Sequence, residues 1–138
     1  MAVLARATAE QLEAALRNAP PLPPYLRLRG PESGLVMVRG RAGGSGSPFN
    51  VGEMTVTRCT VQIACGRVGH AYAAGRDTRQ AELAAWLDAA LQDPVREPAL
   101  QAAVVAPLAA AQAQARRIAA RKAAATKVEF FTMRTMRG

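Results

Sequence analysis

Aromatic side chains make up only 4% of this chain. Sheets that hold single-stranded nucleic acid stack bases on aromatic rings, and the strand-like stretches here offer only Tyr25, Phe49 and Tyr72. No helix-turn-helix, zinc-finger or RNA-recognition signature is present either, so nucleic acid is not an expected partner. The two cysteines, Cys59 and Cys65, lack C-x-x-C or Cys/His spacing, which excludes the common zinc sites. Both fall in strand-like sequence, where buried reduced thiols are expected, as in a reducing compartment. His70 is the one histidine, and nothing suggests a Ser-His-Asp or Cys-His arrangement around it. A structural strand histidine is the simpler reading. The longest apolar run, Ala99–Ala111, is broken by Gln101 and Pro107 and falls short of a membrane span. The opening MAVLARAT is too short and too polar for a signal peptide. A cytoplasmic chain without a membrane partner is the expectation.

Acidic residues are also few, 10 against 18 basic ones, for a net charge of +8. That balance favours polyanions, nucleotide phosphates or an acidic protein, although many arginines in such chains are simply solvated. At 138 residues one domain is expected. Half the residues are apolar, but alanine dominates them, and an Ala/Val/Leu core buries less area per residue than an aromatic one. Marginal stability alone, or help from a partner surface, follows.

Along the chain, Thr8 with Gln11 forms a capping-box pattern that starts a helix within 1–19. Leu12, Ala15 and Leu16 share one face of it. Pro20, Pro21, Pro23 and Pro24 then force an extended connector. Residues 25–74 read as sheet. Tyr25–Arg29 alternates, with Leu26 and Leu28 on one face and Tyr25, Arg27 and Arg29 on the other. Gly30-Pro31-Glu32-Ser33-Gly34 is turn chemistry, so a hairpin onto Leu35–Arg41 is predicted. Val51–Ala64 is a long strand whose apolar residues change side, Met54 and Val56 on one and Cys59, Val61 and Ile63 on the other. A bulge or bend near Thr57–Arg58, or burial on both faces, is predicted. Gly66 suits a tight turn, and Val68, His70 and Tyr72 share a face of the returning strand.

Asp77 is a predicted N-cap, with Gln80 at the third helical position, for a core helix over 77–93. Its stripe is Leu83, Trp86, Leu87, Ala90 and Leu91, with Ala85, Asp88 and Gln92 opposite. Within 98–138, a short helix over Ala99–Ala106 precedes a second one with Pro107 in its first turn. Leu108–Thr126 is alanine-rich with a basic side at Arg116, Arg117, Arg121 and Lys122, and little to anchor it. Val128–Met133 is β-like. The expected architecture is α+β: an antiparallel sheet of four to five strands, helices mainly on one face, and a long C-terminal helix.

Chemistry is most concentrated at the glycine-serine loop. Backbone N–H groups in such loops cradle anions. The loop is neither a Walker pattern nor a dinucleotide fingerprint, because no Lys-Ser/Thr follows Gly46 and a strand follows where a helix should start. Gly43, Gly44 and Gly46, with Arg39, Arg41 and Arg58 as guanidinium forks, are the candidate phosphate- or nucleotide-binding residues. Glu32, Glu53 and Asp77 have no spacing that pairs them as acid and base. No catalytic residue and no metal site is expected, so the chain reads as an incomplete centre. The alternative is a stand-alone phosphate- or nucleotide-binding enzyme with a pocket joining Arg58, His70 and Arg76.

The string GLVMVRGRAGGSGSPFNVGEMTVTRCTVQ at Gly34–Gln62, then GHAYAAGRD at Gly69–Asp77, AELAAWLDAALQ at Ala81–Gln92, APL at Ala106–Leu108 and VEFFTMRTMRG at the end resemble the PhnG family. The resemblance spans nearly the whole chain. It departs at the start, where that family often has further residues, including a tryptophan, before Leu4-Ala5. The resemblance implies a subunit of the bacterial carbon–phosphorus lyase system. Such proteins act with PhnH, PhnI and PhnL to form α-D-ribose 1-methylphosphonate 5-triphosphate from MgATP and methylphosphonate, releasing adenine. It also implies a core complex with PhnH-, PhnI- and PhnJ-like subunits, with MgATP as substrate of the complex and no cofactor bound by this chain alone. The transferase activity then belongs to the assembly, and no catalytic residue carries over to this chain.

Overall fold

Thr8 and Gln11 start the first helix reciprocally. Gln11 N–H donates to Thr8 Oγ1 at 3.2 Å, and Thr8 N–H donates to Gln11 Oε1 at 3.0 Å. This capping box opens α1 (Ala9–Arg17), which follows a single 3₁₀ turn at Leu4–Arg6. The computed structural model describes residues 1–42 and 46–127. The proline-rich connector is pinned to the body. Trp86 Nε1–H donates to Pro23 O at 2.8 Å, and Arg96 Nη1 donates to Pro21 O at 3.2 Å.

Three strands then form an antiparallel sheet in the order β1-β2-β3. They are β1 (Tyr25–Gly40), β2 (Phe49–Ile63) and β3 (Val68–Ala74). The sheet therefore has three strands among the described residues, not four to five. Two of the predicted strands are one. Gly30-Pro31 does not turn the chain; it is absorbed as a bulge between Arg29↔Thr60 and Glu32↔Arg58. Gly30 sits at φ 66°, and a Cβ there would lie 2.8 Å from Arg58 O, so the bulge needs glycine. The fault expected in β2 near Thr57–Arg58 thus lies on its partner strand, opposite Cys59. A second register shift between Arg27 and Arg29 moves Arg29 to the other face from Tyr25 and Arg27. Tyr25 and Arg27 face the helices, while Leu26 and Leu28 are exposed. The predicted strand Val128–Met133 lies outside the described residues.

One face of the sheet is covered by α2 (Thr78–Leu91), capped by Asp77 Oδ1 accepting from Gln80 N–H at 2.9 Å. Thr57, Cys59, Val61 and Ile63 of β2 and Ala71 and Ala73 of β3 are buried beneath it. Leu4, Leu12, Leu100 and Val104 complete the core. The helix is enclosed nearly all round, so the predicted division into a stripe and an opposite face gives way: Ala85 is buried. It meets β3 at Gly69, where an added Cβ would overlap Ala85 O and Ala89 N. Alanine-for-leucine substitution on that side lets the helix approach the strand this closely.

The C-terminal region is helical from 97 to 125. A single turn of α3 (Glu97–Leu100) runs into a π-helical segment (Gln101–Val105) and then α4 (Ala106–Ala125). Pro107 sits in the first turn of α4, as predicted, but the helical chain before it continues without a break. The widened π turn, closed by Ala106 N–H to Gln101 O, makes room for a ring that would strike the carbonyl one regular turn back. Leu108 anchors α4 in the core, and Gln112 Nε2 donates to Val3 O at 2.9 Å. From Gln114 to Lys127 every residue is exposed.

Gly69→Ala should lower stability by about 3 kcal/mol, because the new methyl meets helix backbone, which cannot rotate away. Urea unfolding followed by far-ultraviolet circular dichroism checks this, with Gly52→Ala, where an added Cβ meets nothing within 4 Å, changing stability far less.

Candidate functional site

The β1–β2 hairpin outgrows its sheet. β3 pairs with β2 only over Val56–Gln62, so Leu35–Gly40 and Phe49–Thr55 continue as a two-stranded arm with no third strand among the described residues. Leu35, Met37, Val38, Phe49, Val51 and Met54 are all exposed there. Arg39 stands near the end of the arm opposite Asn50. Arg41 lies just past β1 and is exposed, as is Gly46. Gly43 and Gly44 lie outside the described residues.

Arg58 is elsewhere. It lies eight residues along β2 from Asn50, about 26 Å at an ordinary strand rise. The structure therefore keeps Arg39, Arg41 and Gly46 in one region and separates Arg58 from them. Arg58 is held at the root of the arm by Glu32, whose Oε1 accepts from Arg58 Nε at 2.7 Å and from Arg29 Nε at 2.5 Å. The two guanidinium hydrogen bonds, Arg29 first, hold the Glu32 carboxyl below its usual range. The phenol of Tyr72 and then Glu32 push the Arg58 guanidinium further up. A guanidinium so engaged is a structural tie across three strands.

Two clefts flank the arm root. A cleft of ≈ 450 Å³ is lined by Ser33, Gly34, Leu35, Thr55 and Arg76. The other, ≈ 100 Å³, is lined by Gly34, Leu35, Val36, Val56, Arg58 and Tyr72. Arg58 and Arg76 thus face different clefts, and His70 lines neither; its Nδ1 sits 3.2 Å from Thr60 Oγ1 on the open sheet face. The pocket that a stand-alone enzyme would need from these three residues is not formed. Among the described residues, no group of three His, Cys, Asp or Glu side chains is gathered as metal ligands, and no helix is long and apolar enough to cross a membrane.

The cysteines differ from expectation. Cys59 is buried, but Cys65 is exposed in the β2–β3 turn. Backbone and side-chain hydrogen bonding from Arg67, whose Nη1 donates to Cys65 Sγ at 3.0 Å, lowers the thiol from its ordinary value. β2 ends at Ile63, and Ala64 and Cys65 are the central residues of a turn closed by Gly66 N–H to Ile63 O at 2.8 Å, so period-2 reading stops before Cys65.

Among the described residues one carboxylate is deeply placed, and sequence reading missed it. Glu82 is 4% exposed and accepts from Tyr25 OH at 2.6 Å and from Arg27 Nε at 2.5 Å. Tyr25 packs against Trp86 with ring centroids 4.9 Å apart. The spacing of Glu82 in the helix, one turn before Trp86, was the available signal. Burial works to raise the Glu82 carboxyl, but the hydrogen bonds from Arg27 and Tyr25 outweigh it and leave it low. A carboxylate kept ionised and doubly bonded anchors β1 to α2; it is not poised to exchange protons.

Known proteins resemble this chain along its length. All of residues 1–138 match the family described as phosphonate metabolism protein PhnG. A protein of Rhizobium meliloti (strain 1021), named alpha-D-ribose 1-methylphosphonate 5-triphosphate synthase subunit PhnG, is 45% identical over 133 residues. That alignment covers 96% of this chain and 85% of the relative.

The Glu82 anchor has a pH signature. The folded state holds this carboxyl below its unfolded value, so its contribution is complete above the unfolded value of about 4.3 and is lost as pH falls through the lower folded one. Glu82→Gln should cost about 2 kcal/mol at pH 7, and the gap to the parent should narrow progressively below about pH 4. Urea midpoints of both proteins at pH 7 and pH 3 measure it; a gap of constant size would contradict the assignment.

Proposed function

The chain belongs to the PhnG family, and from that premise we propose that it is an accessory subunit of an α-D-ribose 1-methylphosphonate 5-triphosphate synthase in the carbon–phosphorus lyase pathway. One observation carries the accessory role. Among the described residues no metal-ligand cluster is gathered, and the buried carboxylate, Glu82, is committed to Arg27 and Tyr25. The chain contributes surface, and the reaction centre is completed elsewhere in the complex. Its partners in this reading are PhnH-, PhnI-, PhnJ- and PhnL-like subunits, with MgATP and an alkylphosphonate as substrates of the assembly.

The exposed second half of α4, with Arg116, Arg117, Arg121 and Lys122, supports a partner-facing C-terminal region over 98–138. Arg39 and Arg41, both exposed at the end of the arm, support a narrower proposal. With the Gly43–Gly46 loop they form a wall for substrate phosphates. Arg58, tied to Glu32, serves the fold.

Two measurements test this. Adenine release from MgATP and methylphosphonate by the co-expressed complex should require this chain, and the chain should co-purify with a PhnI-like partner. A complex fully active without it ends the proposal. Arg41→Ala should raise the MgATP concentration for half-maximal rate roughly tenfold, the loss expected for one charge-assisted contact, while the complex stays assembled. Unchanged kinetics in an intact complex would remove the phosphate wall and leave the accessory role standing.

A further inference from the structure

β1 is an edge strand along its whole length, since β2 is its one neighbour among the described residues. Its two halves differ. The proximal half carries what natural edges use to refuse another strand: two register shifts, Pro31, and the charges of Arg27 and Arg29. The stretch beyond Glu32 has none of these until the third register shift, between Val38 and Arg39. From Glu32↔Arg58 to Val38↔Gly52 the register is unbroken, and Ser33–Val38 contains no charge and no proline. Leu35, Met37 and Val38 are 64%, 54% and 40% exposed, respectively. Beyond β3 the arm is two strands wide, and such ribbons are marginal in water unless a third strand or another surface covers them. A straight, uncharged, apolar edge on an unsupported ribbon is a template for strand addition.

We propose that the outer edge of β1 over Ser33–Val38 receives an extended segment of an acidic partner subunit, which adds as a third strand of the arm. The proposal rests on the subunit reading above and names the surface it uses. Charge selects a partner over a second copy. Each copy of this chain carries +8, and edge-to-edge pairing would bring two such charges together, whereas a partner of opposite net charge is steered onto the arm. Backbone hydrogen bonds supply the affinity, and alternate side chains of the incoming strand meet Leu35 and Met37 on one face and Val36 and Val38 on the other.

In a two-stranded ribbon about half the amides of β1 point away from β2 and exchange freely. Hydrogen–deuterium exchange of the chain alone and within the co-expressed synthase complex reads them directly. Over Ser33–Val38 these amides should slow at least 100-fold on assembly. The Leu35→Lys/Met37→Lys double variant alters two exposed side chains, so it should melt within a few degrees of the parent yet bind its partner at least 100-fold more weakly. Leu26→Lys, at the guarded end, should bind as the parent does. Failure of the parent chain to join the complex would overturn the subunit reading and this proposal together. An intact complex with fast amides over Ser33–Val38, or one indifferent to the double variant, would overturn the edge alone. Reversible dimers of the isolated parent that the double variant dissolves would assign the edge to a second copy instead.

Discussion

The closeness of α2 to β3 governs the rest of this molecule. At Gly69 the strand and the helix backbone meet with no side chain between them, and small residues on α2, Ala81, Ala84, Ala85, Ala89 and Ala90, are all buried. Close approach compensates for a chain poor in large apolar groups, because dense packing recovers dispersion contacts that bulk would otherwise supply. The same helix is covered on its far side by Leu4, Leu12, Leu100 and Val104. Nearly all the large aliphatic side chains that are buried are thus gathered around a single helix. Little remains to cover the ends of β1 and β2 or the second half of α4.

Those two elements are regular without being packed, for different reasons. Alanine makes α4 helical by propensity even where nothing touches it. The arm is held at its root, where Glu32 ties Arg29 and Arg58 and where Ser33 Oγ and Thr57 Oγ1 lie 2.8 Å apart. Thr57 Oγ1 in turn donates to Gly75 O at 2.8 Å, linking the root to the start of α2. The arm therefore leaves the body in a fixed direction. A ribbon presented at a set angle loses less conformational entropy on docking than a loop of the same length.

Local chemistry was legible in the sequence; alignment between distant segments was not. Thr8/Gln11 and Asp77/Gln80 announce their caps because a cap is settled within four residues. The alternation of Val68–Ala74 announces its faces for the same reason. Gly30-Pro31 reads as a turn on local grounds and becomes a bulge because β2 pairs on both sides of it. Pairing beyond a turn signal is a property of two strands and cannot be read from either. Arg39, Arg41 and Arg58 look like one group along the sequence, but a hairpin as long as this one places Arg58 far down the second strand. Leu26 and Leu28 look like core, yet Glu82 and Trp86 select the polar-aromatic face, since a buried carboxylate without Arg27 and Tyr25 would be far more costly than two exposed leucines.

Charge completes the division between body and extremities. In the body, Arg27, Arg29, Arg58, Arg79 and Arg96 each meet an acidic side chain. Among the described residues, Arg39 and Arg41 on the arm and Arg116, Arg117, Arg121 and Lys122 on α4 are in no ion pair. Few acids are available, and they are spent where cations approach the core, because an unpaired charge there is the more expensive error. Much of the excess that produces +8 falls on the second half of α4, which carries Arg116, Arg117, Arg121 and Lys122 and no acid, while the arm carries Arg39 and Arg41 against Glu53. Uncovered backbone edge, exposed apolar side chains and unneutralised positive charge coincide on the arm. A neighbouring acidic surface would relieve all three at once, whereas solvent relieves only the charge.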